Sequence, residues 1–191
     1  MTMASKELHV IAFILGHTTS WFRVTVPRAS VFGDARPEFL SMLFDEITGT
    51  DIEQAIKIAR LAREVQGLTY MEGPALIIED VPLDDELDAE SIMAIRIIAM
   101  LDMLKYQKQL DYATITLQPI DFAETVDDKV LKRAGMLVQG EEFRDAARHC
   151  IVALRRARDS DDVLGQMWPE YRWNPGHGWY IEGDNDDTEN D

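Results

Sequence analysis

The chain has 191 residues, 46% of them hydrophobic, which is room for one domain with a real core and no disulfides. Thirty-five acids against 19 bases give a net charge of −16, which weighs against generic phosphate binding, since that rests on Lys and Arg. No apolar run reaches the ~18 residues that a membrane span needs, so no membrane partner is expected.

The first residues, Met1 to Glu7, lack the basic and apolar regions of a secretory leader. Cys150 is the only cysteine, which excludes an intrachain disulfide and fits a reducing, intracellular setting. His9-Val10-Ile11-Ala12-Phe13-Ile14-Leu15 reads as a first buried strand, and Gly16 to Ser20 as a polar turn. From Trp21 to Val26 bulky and polar residues alternate, which predicts a second strand paired to the first in a hairpin. Residues 28–38, with Gly33 and Pro37, read as a loop. Phe39 to Ile47 reads as a third strand, with a short helix as the alternative.

Thr48-Gly49-Thr50-Asp51 is a stop followed by a helix start. Ile52, Ala55, Ile56, Ala59, Ala62 and Val65 then recur at helical spacing, with Gly67 as the expected end. Pro74 to Pro82 holds the apolar run Ala75-Leu76-Ile77-Ile78, which predicts a strand buried on both faces. It ends in Glu79-Asp80, and in open α/β sheets the carboxyl end of a strand is where ligands collect. An acidic loop, Asp84 to Glu86, leads to a helix from Ala89 to Gln109 that is apolar around much of its surface. Its Met93, Met100 and Met103 belong to a core or an interface. Tyr112 to Leu117 reads as a strand, Asp127 to Leu131 as a short helix halted by Gly135, and Glu141 to Arg158 as a long helix. That helix buries Phe143, Ala146, Ala147, Cys150, Ile151 and Leu154. Residues 159–181 are rich in Trp and Tyr and read as an aromatic arm, and 182–191 as an acidic tail.

Three antiparallel strands followed by helix–strand alternation make a mixed α/β sheet, the element order of ribonuclease H-like domains. Three segments carry a more specific likeness: Ile11 to Trp21, Leu76-Ile77-Ile78-Glu79-Asp80, and Glu142-Phe143-Arg144-Asp145-Ala146-Ala147-Arg148-His149. The basic stretch Asp127 to Gly135 supports them. Over residues 8–158 the chain resembles the phage RuvC-like Holliday junction resolvases, a ribonuclease H-like family.

The resemblance implies a structure-specific DNA endonuclease that hydrolyses phosphodiesters of branched DNA. It implies Glu79, Glu142 and Asp145 as the carboxylates for Mg²⁺, an ion that prefers oxygen ligands. Two ions ~3.5–4 Å apart would divide the activation of water from stabilisation of the leaving oxygen. It also implies a homodimer, and a place in the host-cell cytoplasm or the virion. The chain departs from the family at its first strand, where the first Asp aligns with Ile14, a side chain that cannot ligate a cation. Asp34, Asp45 or Glu46 would have to take its place. The alternative is therefore an inactive ribonuclease H-fold protein that serves through a protein partner. His149, one turn after Asp145, is either a proton-transfer group or simply packed. His9 and His17 have no Cys or His partners at zinc spacing. Gly16 to Thr19 needs no phosphate to explain it as a hairpin turn. No P-loop, dinucleotide fingerprint or nucleophile elbow is present.

Overall fold

The structure, a computed structural model, describes residues 7–27, 39–69, 73–82, 87–110, 112–169, 171–174 and 178–181. The loop expected over 28–38, the candidate Asp34, the acids 84–86 and the tail 182–191 lie outside these residues.

Among the described residues, seven strands and six helices follow in chain order. They are β1 (Glu7–Ile14), β2 (Thr18–Pro27), β3 (Ser41–Thr48), α1 (Asp51–Thr69), β4 (Ala75–Glu79), α2 (Ala89–Tyr106), β5 (Thr114–Gln118), α3 (Ile120–Glu124), α4 (Asp128–Ala134), α5 (Glu141–Asp159), α6 (Asp161–Met167), β6 (Tyr171–Asn174) and β7 (Gly178–Ile181). The first five strands form one mixed sheet in the order β3-β2-β1-β4-β5. β1 runs antiparallel to β2 and parallel to β4, and β5 continues the parallel half. This is the α/β architecture expected from the sequence.

Burial follows from the two covered faces. Even-numbered Leu8, Val10 and Ala12 of β1 and odd-numbered Ala75 and Ile77 of β4 join the apolar stripe of α5 in one core. Ile11, Phe13, Leu76 and Ile78 point the other way, onto α1 and α2. The alternation of side chains along a strand divides them in this way. β4 is buried on both faces, which is why its sequence is continuously apolar rather than alternating.

Local sequence sets the helix boundaries. Thr50 and Glu53 form a reciprocal capping box: Glu53 accepts from the Thr50 N–H at 2.9 Å, and Thr50 Oγ1 accepts from the Glu53 N–H at 3.3 Å. Asp88 caps α2 through the Ser91 N–H, and Asp127 caps α4 through the Val130 N–H. Gly135 ends α4 in the left-handed region, φ 74°.

Four details differ from expectation. Gly67 does not stop α1, which continues to Thr69, because a single glycine costs a helix only ~1 kcal/mol. Thr18 to Ser20 belong to β2, since Thr18, Thr19 and Ser20 pair with Thr48, Ile47 and Glu46 of β3. The helix α3 follows Pro119 directly and has too few residues to show a periodicity. The aromatic stretch contains α6 and the β6–β7 hairpin, and Trp168 is fully buried in the α5-side core with Leu164 and Met167.

Candidate functional site

The parallel strands β1, β4 and β5 end together, and their last residues form a row. Phe13 pairs with Ile78, so Ile14 and Glu79 stand side by side one residue on. Glu79 pairs with Gln118. On the far side Ile14 pairs with Ser20 and Ser20 with Glu46. Ile14 shares its face with Ala12, and Glu79 with Ile77, so both turn toward α5.

His149 of α5 meets this row. Its ring is fully buried and lies between two side chains of the sheet. Nε2 is 2.9 Å from Glu79 Oε2, and Nδ1 is 2.6 Å from Gln118 Oε1. Gln118 is also buried, at 1% exposure, while Glu79 keeps partial access to solvent. With Glu79 ionised, two proton arrangements satisfy all three groups. The ring can be an imidazolium that donates both ways. Alternatively a neutral ring donates from Nε2 while the Gln118 amide turns its NH₂ toward Nδ1. In both, the Nε2–H donates to Glu79.

Glu142, Asp145 and His149 recur at i, i+3 and i+7, so α5 presents them along one face. Only His149 touches Glu79. Asp145 bonds instead to Arg148, whose guanidinium also reaches Glu141 at 2.7 Å, Asp128 at 2.6 Å and the Val126 carbonyl at 3.1 Å. Against the opposing effect of burial, hydrogen bonds from Arg148 to Asp145 and Asp128 hold the guanidinium more firmly protonated than usual. Glu142 is exposed on the first turn, beside the Arg144–Glu141 ion pair. Among the described residues no group of three or more His, Cys, Asp and Glu side chains is arranged to hold a metal ion. The donor chemistry at the row agrees: Ile14 supplies hydrocarbon, Glu79 is engaged by His149, and Asp145 by Arg148. This arrangement does not fit a two-metal centre.

Among the described residues, the substitutes Asp45 and Glu46 do not fill the gap. Asp45 is exposed and accepts from the Glu46 N–H. Glu46 lies two strands from β1, roughly 10 Å by strand spacing. Asp80 is exposed just past β4, its N–H bonded to the Gln118 carbonyl at 2.9 Å. Cys150 is buried on the α5 core side, donates to the Phe22 carbonyl, and is pushed far above the usual thiol range by burial.

Gln118 is the member of the row that sequence reading missed. The available signal was its place at the end of a strand that alternates polar and apolar residues, immediately before Pro119, in the segment after the Glu79 strand.

No family model and no curated protein matches the sequence. Solved structures do match the fold. The Thermus thermophilus RuvC structure aligns with a TM-score of 0.56 at 10% identity, covering 84% of this chain and 99% of that one. T. thermophilus RuvC in complex with Holliday junction substrate aligns with a TM-score of 0.54 at 12% identity, covering 80% and 96%. The five-stranded mixed sheet with helices on both faces is therefore a RuvC-like, ribonuclease H-like fold.

Proposed function

We propose that this chain is a nuclease-like protein of the RuvC type that engages branched DNA by binding rather than by hydrolysis. The observation that carries the proposal is the row Ile14–Glu79–Gln118 beneath His149. A ligand-collecting rim is kept, but its central position is apolar and its acid is already hydrogen-bonded. Support for the DNA ligand comes from the likeness to RuvC, one structure of which is a complex with a Holliday junction. Exposed Lys129, Lys132 and Arg133 of α4 offer phosphate contacts close by, because Arg148 ties the start of α4 to α5. The exposed Ile92, Met103 and Tyr106 of α2 form the face we assign to a homodimer. The working unit is residues 8–158 together with the stretch through Trp168 that packs into the α5-side core, followed by the rest of 159–181 and an acidic tail, in the host-cell cytoplasm or the virion.

A hydrolytic reading is favoured by one observation, the placement of Glu142 and Asp145 on the α5 face that also bears His149. In it Glu79, Glu142 and Asp145 are the Mg²⁺ carboxylates, and Arg148 and His149 must first release two of them.

A synthetic four-way junction separates the readings, with wild type, Ile14→Asp and Glu79→Gln assayed for binding and for cleavage in Mg²⁺ or Mn²⁺. Binding without cleavage by the wild type is the expected result. Wild-type cleavage that disappears in Glu79→Gln would replace the binding reading with the hydrolytic one. Failure of all three proteins to bind would remove DNA as the ligand and leave a protein partner.

A further inference from the structure

We infer that Gln118, His149 and Glu79 form a closed hydrogen-bonded centre that occupies the rim in place of a divalent cation. The inference deepens the binding reading above and rests on it.

Strand pairing sets Glu79 and Gln118 side by side at one strand spacing, ~4.8 Å. A single imidazole, entering from α5, spans both. Gln118 fixes the ring through Nδ1 at 2.6 Å, and the ring then meets the carboxylate through Nε2 at 2.9 Å. With Glu79 ionised, Nε2 carries a proton in either arrangement of the three groups and has no lone pair for a metal. The same proton takes one oxygen of Glu79. A cation held by both Glu79 oxygens would displace the imidazole from Oε2 and leave His149 without its partner, at no exposure to water, while one held by Oε1 alone would find no second oxygen at position 14.

Two neighbours reinforce the closure. Ile14 offers no oxygen where it borders Glu79. One turn back on α5, Asp145 is hydrogen-bonded by Arg148, a guanidinium that it shares with Glu141, Asp128 and the Val126 carbonyl. Restoring a cation site therefore takes two changes together: an acid at position 14 and release of Glu79 from the imidazole.

Mn²⁺ titration of the full chain tests this, read by calorimetry, by the shift in Tm, and by NMR of the His149 ring. Wild type should show no saturable binding and no rise in Tm beyond that of Glu79→Gln. Its His149 ring signals should stay sharp as the paramagnetic ion is added. The double variant Ile14→Asp/His149→Leu should gain saturable binding and a Tm increase. Saturable Mn²⁺ binding by wild type that Glu79→Gln abolishes, or selective broadening of the wild-type His149 ring signals, overturns the inference. The NMR arm needs no variant and so does not depend on the double variant folding. Cation binding and junction binding are separate readouts. Loss of the DNA reading alone would appear as a protein that takes up neither junction nor Mn²⁺.

Discussion

His149 shows how much a single side chain contributes at this rim. Replacing it with Ala opens a cavity in a close-packed region and removes the only hydrogen-bond donor that reaches the Glu79 carboxylate from α5. Cavity formation and unmet hydrogen bonds together should lower stability by about 3–5 kcal/mol, measured by urea denaturation. His9 is a different case. It is 5% exposed, with Nδ1 3.0 Å from Thr25 Oγ1, and Nε2 has no hydrogen-bond partner among the described residues. Burial, and secondarily the charge of Arg23, lower its pKa to about 4. The unfolded chain takes up this proton near pH 6.5 and the folded chain only near 4, so the folded state is fully favoured above 6.5. Stability should fall as pH drops from 6.5 toward 4, by about 3 kcal/mol from this residue alone. His9→Gln should flatten that part of a stability-against-pH curve, and an unchanged slope would count against the assignment.

At the scale of elements, periodicity and punctuation carried most of the reading. β4 was legible because a strand buried on both faces is apolar throughout, and α5 because its stripe recurs with every turn. The acids at the end of β4 stood out against that run, so Glu79 was legible too. Its partners were not, because they depend on register. Gln118 matters only once Glu79 pairs with it, and His149 only once α5 lies across both strands. No local pattern encodes either fact. The same holds for Trp168, which reads as part of an irregular aromatic arm yet is a fully buried residue of the α5-side core. α6 is held to the edge of the sheet by the Thr114 hydroxyl, which donates to the Met167 carbonyl at 2.6 Å. Trp168→Ala should therefore cost about 3–5 kcal/mol, and a chain ending at Asp159 should lose its cooperative thermal transition. A truncated chain that melts like the full one would make α6 an ornament rather than a part of the core.

The whole molecule sets charge against ligand. A net charge of −16 repels a polyanion at long range, yet a few cations in one place can bind it once contact is made. Lys129, Lys132 and Arg133 sit on one short helix whose first acid, Asp128, is already paired with Arg148. That pairing leaves α4 a net cationic surface beside the rim. Three phosphate contacts would give a slope of roughly −3 in log affinity against log salt, and Lys132→Ala should reduce its magnitude by about 1. Removing the six acids of 182–191 should act differently. It takes away no contact with DNA, so it should raise affinity most at low salt, where repulsion between separated charges is least screened. The number of phosphate contacts would stay the same while the two affinities converged as salt was added. Gel-shift titrations of a four-way junction across a salt series distinguish these effects. If Lys132→Ala leaves the slope unchanged, the DNA-binding face lies elsewhere than α4.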